Sequence, residues 1–285
     1  MTMEKVSPRW WVSPPGPDES LSSCLARAAT LYESEASELW SQLHAGAQQP
    51  AGTVDDPSCP ALQRLGLALG VPAPSLRPHR LPDSPALLAP QARMAICPAC
   101  WAEDDAAGRP RGYRRSWTHV LRTTCPVHHA PMILPRDRLN PDLPAALAAQ
   151  AALDEHDREI LELIDRFGAA LEASSFADAP WPADWQGSPG SARVWLTRVS
   201  FDPGGTRGPP LIANVSAPPA LAGFVRGPRH YRELRGADGW EAFRHLVDPC
   251  ERRAAVWVVA WQMMPSLPVS FSPGWIDMPG LWRCA

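Results

Sequence analysis

Positive charge is not in excess: 27 Lys and Arg stand against 30 Asp and Glu, a formal net charge of −3 over 285 residues. That balance excludes a general polyanion binder, so any nucleic-acid surface must be a local patch. Lysine is nearly absent; Lys5 is the only one, and the other basic residues are arginine. Long apolar runs are missing. The longest, Ala254 to Trp261 and on to Met264 across Gln262, falls short of the ~20 residues a membrane helix needs. The start, Met1 to Lys5, leads into prolines and tryptophans and not into the apolar stretch of a secretory signal. The 7 cysteines are odd in number, and Cys24, Cys59, Cys250 and Cys284 are scattered, which does not suggest a disulfide framework. A reducing cytoplasm, away from any membrane, is the expected compartment.

Catalytic signatures are missing as well. There is no Gly-x-x-x-x-Gly-Lys-Ser/Thr to cradle a nucleotide phosphate, and no Gly-x-Ser-x-Gly elbow. No His-Glu-x-x-His occurs, nor a His-x-Glu ahead of Pro-Cys-x-x-Cys as in a zinc deaminase. Paired acids at Asp55-Asp56 and Asp104-Asp105 have no partner motif and read as solvated loop charges. The expectation is a protein without enzymatic activity.

What the chain does have is proline, 34 residues set between apolar segments, which points to short helical bundles joined by stiff connections. It also has two matched ligand pairs: Cys97-Pro98-Ala99-Cys100 and Cys125-Pro126-Val127-His128, separated by residues 101–124. A two-residue spacer lets both side chains of a pair reach one ion. Three thiolates and one imidazole complete a tetrahedral zinc shell with no open position, the pattern of a structural site. His129 stands next to His128, but the two-residue spacer favours His128; His119 breaks the pairing.

Helical periodicity dominates the rest. Asp18-Glu19-Ser20 gives a helix start ahead of Leu21, Cys24, Leu25, Ala28 and Tyr32. Ser34 can cap a second helix with Leu39, Trp40 and Leu43 inward. Ala61 to Leu69 makes a third, ended by Gly70 and Pro72. The three fit either a helix-turn-helix-type unit or a plain packing domain. Ser84 to Met94 reads as a helix delivering the chain to Cys97, Ser116 to Thr124 fits strand or helix, and Pro131 to Leu134 reads as a short closing strand. Two helices are expected at about 143–153 and 155–171. The second carries Ile160, Leu163, Ile164, Phe167 and Leu171 on one face, opposite Asp157, Arg158, Glu162 and Arg166. Arg193 to Val199 alternates like a strand, Pro203 to Pro210 reads as a loop, and Pro219 to Val225, Tyr231 to Leu246 and Glu251 to Met264 read as helices. Most of the 13 tryptophans are expected in cores; Trp10, Trp11, Trp275 and Trp282 would anchor a protein partner if exposed.

The fold expected is therefore mainly α. It has an N-terminal helix-turn-helix-like helical domain over 1–83 and a small zinc-binding module over 84–135. A helical hairpin over 136–176, a linker over 177–190 and a mainly helical C-terminal domain over 191–285 follow. Between the ligand pairs lie Arg109, Arg111, Tyr113, Arg114, Arg115, Trp117 and Arg122. Arginine forks onto phosphate and aromatic rings stack on bases, so this set suits nucleic acid. It suits equally a protein partner, or a solvated rim paired with Glu103, Asp104 and Asp105.

Taken together, Pro17-Asp18-Glu19-Ser20-Leu21-Ser22-Ser23-Cys24-Leu25-Ala26-Arg27, the two ligand pairs, and Tyr113-Arg114-x-Ser116-Trp117 resemble the TniQ family of transposition proteins. Cys24 stands where that family commonly has Trp. The resemblance runs mainly over residues 8–134; Arg252 to Met264, with Leu267-Pro268 and Phe271, is similar to its loosely defined C-terminal helix. It implies a non-enzymatic adaptor holding one structural Zn2+. Such a protein links target recognition, by DNA or by a guide RNA with a CRISPR effector, to an AAA+ ATPase transposition regulator, and a separate transposase does the chemistry. The chain lacks the long extension expected of relatives that read DNA sequence themselves. The alternative is a stand-alone zinc-containing helix-turn-helix DNA-binding regulator.

Overall fold

The computed structural model describes residues 9–47, 50–135, 142–201, 215–225 and 239–273. Among them the chain is helical, with isolated β-bridges and no named strand. The helices are α1 (Leu21–Leu31), α2 (Ala36–Leu43), α3 (Cys59–Leu69), α4 (Ala73–Leu76), α5 (Pro98–Ala106), α6 (Leu143–Ala151), α7 (Glu155–Phe176), α8 (Pro189–Ser200), α9 (Gly239–Arg244) and α10 (Pro249–Met263). The expected loop over 203–210, residues 231–238 of the expected helix, and Trp275 and Trp282 lie outside the described residues. The chain divides into two compact units. One is Met1–Ser84 with Glu103–Ser116; the other is Pro85–Ala102 with Trp117–Ala285.

In the first unit, α1 begins where the Ser20 hydroxyl accepts the Ser23 N–H. Leu21, Cys24, Leu25 and Ala28 are buried with Leu39, Leu62, Leu65, Leu69, Leu76 and Trp10. Tyr32, expected inward, is 39% exposed, and its hydroxyl accepts the Trp11 N–H at 2.8 Å. Glu35, not Ser34, occupies the N-cap position of α2 and makes no side-chain capping bond; the Ser34 hydroxyl donates to Glu38 at 2.9 Å.

A polar seam joins the start of α1 to residues 112–116 of the same unit. Glu19 and Arg114 form an antiparallel bridge. Ser20 N–H donates to Tyr113 O at 3.2 Å, Tyr113 N–H to Ser23 Oγ at 2.8 Å, and Arg115 N–H to Asp18 O at 2.6 Å. The Ser116 hydroxyl donates to Asp18 at 2.5 Å. At the centre, the Glu19 carboxylate accepts from Gly16 N–H, Ser23 Oγ and both Nε and Nη2 of Arg27, at 2.7–2.9 Å. A Cβ on Gly112 would lie 3.0 Å from the Glu19 carboxyl carbon, so glycine is what permits this approach.

In the second unit α10 packs against α7 and α8, and α8 against α9. The predicted stripe on α7 is buried throughout: Ile160, Leu163, Ile164, Phe167 and Leu171. Asp157, placed on the polar face from sequence, is buried instead. It exchanges bonds with Asp154 in a capping box, which takes the carboxylate out of solvent. Residues 193–199 are helical, not a strand. Ser188 and Ser191 form a capping box, Pro189 presets the first turn, and Ala192, Leu196 and Val199 recur on one buried face. Trp181 and Trp185 pack on Phe167 with ring centroids 6.1 and 5.4 Å away.

Residues 84–94 do not form the expected helix. Pro85 and Pro90 lack the N–H a helix needs. The segment pairs instead with residues 118–120: Leu88 N–H donates to Thr118 O at 2.8 Å and Val120 N–H to Ala86 O at 2.9 Å. A single 3-10 turn follows at Pro90–Ala92. The same pairing fixes 118–120 as extended chain, after a 3-10 turn at Arg115–Trp117.

Glu19 and Arg27 are nearly buried, at 8% and 13% side-chain exposure, and removing one partner of such a pair strands the other charge. Glu19→Ala is expected to cost about 3 kcal/mol in chemical denaturation of the full chain. Glu19→Gln, which keeps an acceptor for Ser23, is expected to cost less.

Candidate metal centre

Each ligand pair is presented by a short, hydrogen-bonded fold-back. Ile96 and Ile133 exchange backbone hydrogen bonds at 2.9 Å in both directions, which sets Cys97 at the foot of α5. Pro98 opens that helix at a position where a missing N–H costs nothing, and Cys100 follows within its first turn. The second pair sits in a tight hairpin. Thr124 bridges Pro131, Cys125 N–H donates to Ala130 O at 2.9 Å, and His129 N–H closes the turn on Cys125 O at 2.9 Å. His129 takes φ +51°, turning the chain back as the hairpin closes.

The four side chains converge. Their ligand atoms all lie within 4.8 Å of one another, and the three cysteines are fully buried while His128 is half-buried. Cys100 Sγ is 3.5 Å from Cys125 Sγ. The His128 Nδ1 is 3.3 Å from Cys100 Sγ and 3.7 Å from the sulfurs of Cys97 and Cys125. Zinc bonds of ~2.3 Å to sulfur and ~2.05 Å to nitrogen place tetrahedral neighbours about 3.8 Å (S to S) and about 3.6 Å (S to N) apart. The set therefore fits a tetrahedral divalent ion. The Val127 N–H also points at Cys125 Sγ, at 3.4 Å, a bond that favours the thiolate.

The electrostatics lead to the same requirement. Hydrogen bonds from the Cys100 and Cys97 thiols hold Cys125 far below the ordinary thiol range. The Cys100 thiol is pushed far up by the same contact with Cys125, then by Cys97 and by burial. Three crowded buried thiols do not all ionise without a cation, and a divalent ion bound there would supply it. An ion held by all four side chains would have no open position for water or substrate, the arrangement of a structural site.

The hairpin is backed by charged side chains of the same unit. Thr124 donates its hydroxyl to Asp165 of α7. Burial pushes the Asp165 carboxyl above its ordinary range, against the Thr124 hydroxyl and the Arg253 charge. His119, the weaker ligand candidate from sequence, lies outside the Cys3His cluster and pairs with Glu172 at 2.5 Å. On α7, a Cβ at Gly168 would lie 3.0 Å from Leu121 O, so the helix comes this close to the hairpin's lead-in because residue 168 is glycine.

The residues singled out between the ligand pairs are placed as follows. Asp104, read from sequence as solvated, is buried on α5 and accepts from Arg109 at 2.9–3.0 Å and from Arg114 at 3.3–3.4 Å. Arg111 forks onto Asp105 at 2.6–2.8 Å, and that pairing holds the Asp105 carboxyl below its ordinary range. Tyr113 and Arg115 are half-buried in the seam. Trp117 is 2% exposed, so its ring packs inward and offers no face to a base. Arg122 is half-buried in the second unit, so the seven residues fall in two units. Sequence reasoning missed Asp165, Asp104 as a buried acceptor, and Arg253, whose partners are far away in the chain.

The described chain is mainly helical, and its Cys3His cluster could hold a metal ion. Residues 11–132, which include all four ligands, match the TniQ family model. Over that segment, which is less than half of the chain, the protein is similar to the TniQ family. No curated protein matches the chain. No helix among the described residues is long and apolar enough to cross a membrane.

The purified chain is expected to carry one divalent ion by elemental analysis. Cys125→Ser and His128→Ala should each lower that content sharply. His129→Ala should leave it unchanged, because His129 only shapes the turn; equal losses for both histidine variants would contradict the assignment.

Proposed function

We propose that this chain is a non-enzymatic accessory protein of transposition, an adaptor linking a target-recognition element to an AAA+ transposition regulator. The single observation that carries this reading is the TniQ match together with a metal centre closed by four protein ligands. The ion is zinc in this reading, from the Cys3His donor set and its spacing. The transposase acts as a separate component. The targeting element is either DNA itself or a guide RNA held by a CRISPR effector.

The face of the short helices supports the adaptor over a stand-alone DNA-binding regulator. In a helix-turn-helix the second helix presents donors and cations to the groove and its phosphates. The exposed residues of α2 are Ser37, Glu38, Ser41 and Gln42, following an exposed Glu35, with no cation among them. Of the arginines between the ligand pairs, Arg109, Arg111 and Arg114 already fork onto Asp104 and Asp105. An exposed aromatic is also present on this unit. Trp11 is 88% exposed, with Leu31 at 54% and Tyr32 at 39%. A large indole left in water is a natural anchor for a protein partner, and we assign it to the regulator contact.

Immobilised, zinc-loaded chain is expected to capture its cognate AAA+ transposition regulator in at least one nucleotide state. Trp11→Ala should weaken that capture roughly tenfold, with unfolding unchanged. No capture with ATP, with ADP or without nucleotide would sink the adaptor reading. Tight duplex binding by the chain alone, with affinity falling steeply with salt, would favour the DNA-binding regulator.

A further inference from the structure

Two adjacent arginines on α10, Arg252 and Arg253, have no exposed surface. A guanidinium is costly to bury, and it stays buried where its donors meet fixed acceptors. The two arginines spend their donors differently. Arg252 Nη1 donates to the carbonyls of Leu246 and Val247, in the turn just before its own helix. Arg253 reaches away from its helix. Its Nη1 donates to Phe224 O, and its Nη2 donates both to Thr123 O and, at 2.9 Å, to Met132 O.

Thr123 and Met132 are the two ends of the hairpin that carries Cys125 and His128; they are already joined by Met132 N–H to Thr123 O at 3.0 Å. One guanidinium nitrogen thus straddles the base of the ligand hairpin, while another ties it to the 3-10 turn at Leu221–Gly223 through Phe224. Arg253 and Phe224 both lie beyond residues 11–132, the segment that matches the family.

We propose that Arg253 is a positioning residue for the metal centre: it clamps the base of the Cys125–His128 hairpin, so that the C-terminal half of the chain sets how tightly the ion is held. Arg253 does not touch the ion; it acts by fixing the angle between the hairpin's arms, and through that the separation of the two ligands. Outer residues that orient metal ligands typically govern affinity by 10- to 100-fold when removed.

Arg252 provides the internal control, since it is equally buried on the same helix but bonds no hairpin carbonyl. The test uses the full-length zinc-loaded chain. It reads zinc transfer to a chromogenic chelator, the visible absorption of the cobalt-loaded protein, and thermal unfolding. Arg253→Met is expected to release zinc at least about tenfold faster and to shift the cobalt bands. Arg252→Met should lower the unfolding temperature without changing release by more than about twofold or moving the bands. If a methionine variant is not recovered folded, Arg253→Lys and Arg252→Lys make the same comparison, because lysine keeps the charge and cannot span three carbonyls. Equal release by the two variants, or wild-type release and an unmoved spectrum in the Arg253 variant, would overturn the proposal.

Discussion

Three buried sulfurs and an imidazole nitrogen meet in contacts of 3.3–3.7 Å, and the three sulfurs could not all be thiolates there without a cation. Everything around the ligand pairs follows from gathering them for a cation. The Ile96–Ile133 bridge ties the first pair to the hairpin of the second, the Thr124–Pro131 bridge closes that hairpin, and Pro98 opens its helix where no N–H is needed. An ion bound by all four protein atoms would be held rigidly, with no open position.

The insert between the ligand pairs changes meaning when its partners are known. Its arginine, tyrosine and tryptophan positions suit, from sequence, a binding surface. In the structure, residues 112–116 are held to Asp18, Glu19, Ser20 and Ser23 by a seam of backbone and side-chain bonds. The two sequence motifs that carry the family resemblance in the first unit are therefore each other's partners. Those bonds lie within the chain, and Trp11 is the most exposed of the large apolar side chains described in that unit.

How much was legible in the sequence divides by range. The ligand pairs declared themselves through spacing alone, and the α7 stripe through its helical period. Both signals are local. Residues 193–199 misled because a short stretch satisfies an alternating and a helical period together, and the deciding Ser188–Ser191 capping box lies just upstream. Residues 84–94 misled because their hydrogen bonds go to 118–120 and not along their own chain. Asp104, Asp157 and Arg253 were opaque for a related reason. A charged residue is read as solvated unless its partner is visible, and Arg253 finds carbonyls 121 and 130 positions away.

The claim on which the account rests is that the centre is closed by the protein. X-ray absorption at the zinc edge of the purified full-length chain tests it most directly. The account predicts a four-coordinate shell of three sulfurs at ~2.3 Å and one nitrogen at ~2.05 Å. A shell containing a water oxygen, or one with fewer than three sulfurs, would contradict it and reopen the metal to chemistry.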